Sequence, residues 1–174
     1  MAADPSEKRG RAVNWRLIPA AMTVVIVLAF APAVAKEKTD RHAGYYYPKP
    51  ASVEVYRSRA RTLPEADRRQ RIGFVTGVVN AMLNRSYPPV AAFFAKGSKA
   101  QKLIIVSNQA GRLDTIYRVR ALLATLTSSA RATPIFREYK VEDTFNFFDM
   151  AKMLGFELIT VSDGDTFTHQ VVIK

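Results

Sequence analysis

The chain contains no cysteine among its 174 residues. That excludes a disulfide scaffold, a thiolate metal site and a cysteine nucleophile. Histidine is nearly as scarce: His42 and His169 are the only two, too few for a multi-histidine metal centre. Glycine occurs at positions 10, 44, 73, 77, 97, 111, 155 and 164, and no two are closer than four residues. No glycine-rich loop is therefore available to cradle a triphosphate. Acidic side chains are also in deficit, 15 Asp and Glu against 26 Lys and Arg, for a net charge of +11. What is abundant is apolar: 48% of residues are hydrophobic, which excludes a disordered chain. The length is room for one ordinary domain.

The charge is absent altogether from Leu17 to Ala35, a run of 19 residues. Before it stand Lys8, Arg9, Arg11 and Arg16, and it exits through Ala33-Val34-Ala35 into Lys36-Glu37-Lys38. A basic start, an apolar middle and a small-residue exit are the parts of a secretory signal. Pro19 and Pro32 leave 12 residues of good helix between them, which suits a signal core. The alternative is an uncleaved N-terminal anchor, since about 20 apolar residues span a bilayer. On either reading the remainder is translocated, and a periplasmic location follows, by the general secretory route because no arginine pair precedes the core. The first 35 residues hold four of the 26 basic and two of the 15 acidic side chains, so the other 139 carry a net charge of +9.

Residues 36–50 read as an extended lead-in, broken by Gly44, Pro48 and Pro50 around Tyr45-Tyr46-Tyr47. The remainder, 51–174, is expected to be one domain. Ser52 to Tyr56 alternates as a short strand. Thr62-Leu63-Pro64-Glu65 carries a capping box with proline in the first turn, and predicts a helix from there to about Leu83. Gly73 and Gly77 in that helix are expected to let a sheet or helix approach closely; a strand over Ile72–Val79 is the alternative. Val90–Ala95 and Lys102–Val106 read as buried strands around a Lys96–Lys99 loop. A second helix uses Leu113, Ile116, Val119, Leu122, Leu123 and Leu126, with Asp114 and Arg118 placed as an i,i+4 pair. Thr133-Pro134 ends that segment.

A third helix is expected from Val141 to Leu154, with Glu142 and Asp143 in its first turn, Gly155 as its left-handed cap and Phe156 folding back on it. Phe156–Val161 and Thr166–Ile173 then form a hairpin about Asp163-Gly164. A two-residue loop would set Thr160 opposite Phe167 and Leu158 opposite His169. The order β-α-β-β-α-α-β-β predicts an α+β fold, a mostly antiparallel sheet with helices on one face.

Chemistry-bearing residues are few. Asp163 and Asp165 could hold a hard cation, yet Asp-Gly is also what a tight turn demands. His169 is expected to point into the apolar face. No Ser-His-Asp set and no carboxylate pair can be argued, and no residue set indicates a cofactor, so an enzyme is not favoured. The clearest feature is a basic stripe of Arg57, Arg59, Arg61, Arg68, Arg69 and Arg71, while Glu138–Asp165 holds seven acidic residues against two lysines. Such asymmetry suits an anionic partner or a second copy of the chain. An exported protein rarely meets nucleic acid, so acidic envelope polymer, lipid head groups or an acidic protein face are the expected partners. The membrane itself is met only through the N-terminal segment, if retained. The Tyr45-Tyr46-Tyr47 run would either stack on a partner or lie on its own domain.

The stretches His42–Pro48, Arg71–Gly77, Phe94–Gly97 and Val161–Phe167 resemble a small family of alphaproteobacterial exported proteins, over nearly all of the chain beyond residue 35. Members often carry the label molybdopterin-guanine dinucleotide biosynthesis protein A. The resemblance thereby implies guanylyl transfer to molybdopterin in molybdenum-cofactor biosynthesis. A rise in melting temperature with GTP and Mg²⁺ would be its signature.

Overall fold

A computed structural model describes residues 42–174. The signal or anchor at 1–35, its cleavage after Ala35 and the start of the lead-in lie outside the described residues. Every described residue belongs to one compact unit, Lys38–Lys174. Its elements are β1 (Ser52–Tyr56), α1 (Arg68–Leu83), β2 (Ala91–Lys96), β3 (Lys102–Ser107), α2 (Ile116–Arg131), α3 (Pro134–Tyr139), α4 (Phe147–Met153), β4 (Leu158–Ser162) and β5 (Thr168–Ile173).

The five strands form one sheet in the order β1-β5-β4-β3-β2. β2–β3 and β4–β5 are antiparallel hairpins, whereas β1–β5 and β3–β4 are parallel. The fold is α+β as expected, but the sheet is mixed rather than mostly antiparallel. The reason is the length of the connection from β3 to β4. It holds three helices and returns the chain to the end of the sheet where β3 began.

Pairing registers assign each strand residue to a face. One row runs Phe93, Ile105, Val161, His169 and Ser52; the next runs Ala95, Leu103, Ile159, Val171 and Glu54. Their apolar members join Val75 of α1, Val119 and Leu123 of α2, Phe136 of α3 and Phe147, Met150 and Met153 of α4 in one core. The helices therefore cover this face. Phe136, Phe147 and Phe156 are fully buried, each contributing roughly 1.5–3 kcal/mol of transfer free energy.

The other face is built differently. Thr160 pairs with Gln170 and Ser162 with Thr168, and all four are buried. Their polar atoms satisfy one another: Gln170 Nε2 donates to Thr160 Oγ1 (3.2 Å), and Thr168 Oγ1 to Ser162 Oγ (2.9 Å). The tyrosine segment lies against this outer face at β2. Tyr46 packs on Phe94 at 6.1 Å between ring centroids, and Lys96 Nζ donates to its hydroxyl at 2.7 Å. Tyr47 is buried, while Tyr45 is 80% exposed.

Four local expectations change. The first helix begins at Arg68, capped by Asp67, whose carboxylate accepts from Gln70 N at 2.7 Å. Thr62–Ala66 stays a loop because Leu63 N donates to Met153 O at the end of α4. Gly73 and Gly77 are exposed, and a Cβ at either would meet nothing within 4 Å, so they do not serve a close approach. The third predicted helix shortens to α4, and α3, which the sequence reading lacks, forms ahead of it over Pro134–Tyr139. Asn146 caps α4 in a capping box with Asp149, and Glu142 and Asp143 precede it. Last, the β4–β5 register is shifted by three residues, pairing Leu158 with Val172 and Val161 with His169. Asp163 causes the shift: its carboxylate accepts from the backbone of Asp165, Thr166 and Phe167 and rounds out a longer loop.

Candidate anion-binding site

The register places basic side chains at one end of the sheet. Lys96 pairs with Lys102 and Lys102 with Leu158, beside Tyr56 and Ile173 at the ends of β1 and β5. From that end the β1–α1 connection carries Arg57, Arg59 and Arg61, and α1 opens with Arg68 and Arg69. All five are exposed. The opposite end of the sheet holds a polar crevice lined by Asp114, Asp163 and Asp165 with Asn108 and Gln109. Of the acidic residues in Glu138–Asp165, Asp163 and Asp165 line this crevice, whereas Asp149 and Glu157 lie at the basic end.

Arg71 leaves the stripe. Only 6% of its surface is exposed. Its Nε donates to Lys99 O at 2.9 Å, and its Nη1 to Ala66 O, Leu154 O and Gly155 O at 3.2, 3.1 and 3.4 Å. These bonds pin the guanidinium over the C-terminus of α4, where carbonyls favour a cation. The turn there is a Schellman motif. Phe156 N donates to Ala151 O, Gly155 N to Lys152 O, and Gly155 takes a left-handed φ of 76°. A Cβ at position 155 would stand 2.5 Å from Arg71 Nη1, so glycine is required there twice over.

Arg71 also lines a crevice of about 250 Å³ with Thr62, Lys99, Gln101, Lys152, Gly155, Phe156 and Glu157. None of Arg71, Lys99 and Lys152 takes part in an ion pair among the described residues. Three cations around one concavity with a low-dielectric wall focus positive potential into it. Arginine spacing alone indicated the stripe. That Lys99 and Lys152 join Arg71 carries no sequence signal, since the three come from a helix, a hairpin loop and another helix.

The remaining candidates have structural partners. Both Asp163 oxygens serve its own turn, Oδ2 accepting from Thr166 Oγ1 at 2.9 Å. Burial alone would raise the Asp163 pKa, but these hydrogen bonds outweigh it and hold the carboxyl below its usual value. Among the described residues, no three acidic or histidine side chains converge as metal ligands. Asp149 is buried and accepts from Ser58 Oγ (2.7 Å), Tyr56 Oη, Arg59 N and Asn146 N (3.1 Å each). It ties the exit of β1 to the start of α4.

A serine, a histidine and a carboxylate do meet. Ser52 Oγ is 2.7 Å from His169 Nδ1, and His169 Nε2 is 3.8 Å from Glu54 Oε2, whose other oxygen accepts from Arg120 Nη2 at 2.8 Å. Ser52 and Glu54 alternate on β1 directly beside His169 on β5, which explains how two strands assemble the set. The histidine ring is 1% exposed. With Arg120 holding the carboxylate, the group links β1, β5 and α2.

Compared with family models, with curated proteins and with solved structures, the chain matches none of them.

Proposed function

We propose that this protein is an exported binding or accessory protein that engages an anionic envelope partner through the basic end of its sheet. The observation that carries the reading is the exposure of Arg57, Arg59, Arg61, Arg68 and Arg69 around one end, with the Asp114, Asp163 and Asp165 crevice at the other. Like charges gathered on one surface accelerate and orient encounter with an oppositely charged surface, and the effect falls with ionic strength. Tyr45 is the one exposed ring of its run and packs against Tyr46, whose hydroxyl accepts from Lys96.

Retention of the protein on isolated envelope fractions tests this directly. Retention should fall as salt rises from low to physiological concentration, and the variant Arg68→Glu/Arg69→Glu should abolish it at low salt. Equal retention of the variant at every salt concentration would refute the reading. Fractionation with N-terminal sequencing of the same material decides export and processing together.

A further inference from the structure

We infer that the crevice floored by Arg71 binds a phosphomonoester group. The inference rests on the anionic-partner reading above and names the chemical group that the basic end takes.

Arg71 is 6% exposed, and its guanidinium is held in place by four backbone carbonyls, all of them through Nε and Nη1. Nη2 is left over, with two N–H donors, on a side chain that lines the cavity. Among the described residues, no carboxylate pairs with this buried cation. Carbonyl dipoles solvate it but do not neutralise it. A guanidinium fixed in this way loses little further freedom on meeting an anion, which is the condition for preorganised oxyanion recognition.

Charge and size narrow the ligand. Arg71, Lys99 and Lys152 against Glu157 leave the crevice lining at a net of +2. A phosphomonoester carries about −1.5 to −2 at neutral pH, and a diester or carboxylate only about −1. Thr62 and Gln101 add a hydroxyl and an amide to the same wall, suited to oxygens that accept several hydrogen bonds. At about 250 Å³ the cavity is below the roughly 300–1,000 Å³ of sites that enclose a drug-sized molecule. It takes the phosphate group and leaves what the phosphate is attached to outside. The group can therefore arrive on a small soluble molecule or on a lipid head group, and the same chemistry recognises both.

The test uses the full chain in an uncharged detergent, titrated calorimetrically with inorganic phosphate and with glycerol 3-phosphate. Saturable binding of both is expected, weakened at least tenfold in Lys99→Gln/Lys152→Gln. Among the described residues these lysines donate no side-chain hydrogen bond, so that variant should retain the wild-type melting temperature. Absence of saturable binding, or binding unchanged in the lysine variant, overturns the inference. If envelope retention still depends on Arg68 and Arg69 in that case, the broader reading survives; if it does not, both fall. Vesicles containing phosphatidic acid, compared with phosphatidylglycerol, identify the source. Preference for phosphatidic acid lost in Lys99→Gln/Lys152→Gln assigns a lipid head group. Equal binding of the two vesicles, with glycerol 3-phosphate still bound, assigns a soluble phosphomonoester.

Discussion

Ser52 Oγ and His169 Nδ1 lie 2.7 Å apart across the parallel pairing of β1 with β5, and the ring between them is sealed from solvent. Glu54 sits on the Nε2 side at 3.8 Å, which favours a proton on Nε2 and leaves Nδ1 to accept from the serine hydroxyl. Burial pushes the His169 pKa below its usual 6.5; Glu54 opposes the shift and Arg120 adds to it.

A depressed histidine pKa fixes the sign of a pH effect. The unfolded chain takes up a proton near pH 6.5 while the folded ring resists it. Stability is therefore complete above that pH and declines as pH falls below it towards the folded-state value. Melting temperature measured between pH 8 and pH 5 should drop on the acid side of 6.5. In His169→Gln that part of the drop should vanish; an unchanged pH profile would show that another group controls it.

Gly155→Ala should be costly. The left-handed backbone adds about 1–2 kcal/mol for any side chain, and the new methyl would displace the Arg71 guanidinium from its carbonyls. Urea denaturation is expected to show a loss above the backbone term alone. Gly73→Ala, in open space on α1, should instead stabilise by up to about 1 kcal/mol through helix propensity.

Asp149→Ala leaves the donors of Tyr56, Ser58, Arg59 and Asn146 without their acceptor in a buried site. A loss of roughly 2–4 kcal/mol is expected by chemical denaturation. Asp149→Asn, which keeps one acceptor oxygen, should lose less. Burial raises the Tyr56 pKa, against the Asn146 hydrogen bond, and nearby Asp149 adds to the rise. In Asp149→Ala the phenol should titrate at lower pH by ultraviolet absorbance.

At the β4–β5 loop, Asp163→Ala removes the acceptor for three backbone amides and should cost about 1 kcal/mol, by analogy with lost caps. Because the carboxyl is held below its usual 3.8, the stability it adds is present above that pH and lost as pH falls through the lower folded value. The difference in melting temperature between wild type and Asp163→Ala should accordingly shrink at strongly acid pH.

Much of the fold is legible in local sequence. Alternation at Ser52–Tyr56 marks β1, and the apolar run Leu103–Val106 marks β3. Gly155 followed by Phe156 marks the end of α4 and its Schellman turn, while Asp114 and Arg118 form their i,i+4 pair at 2.8 Å. Two misreadings share one character. Thr62-Leu63-Pro64-Glu65 has the chemistry of a helix start, yet Leu63 N is taken by Met153 from 90 positions further on. Asp163-Gly164 has the chemistry of a two-residue turn, yet the Asp163 side chain closes a wider loop. In both places a local signal competes with a hydrogen bond whose partner the signal does not contain.

The candidate site divides in the same way. That the chain is basic, free of cysteine, poor in histidine and able to fill one α+β core follows from composition and periodicity, because those depend on which residues are present and how they repeat. Which arginine of the stripe is buried, which lysines join it, and that Ser52, His169 and Glu54 touch were decided by the order of strands and by the reach of Arg71 from α1 to the turn after α4. Contacts between residues 28 to 117 positions apart depend on how distant segments share a limited buried volume, and no window of local sequence carries that information.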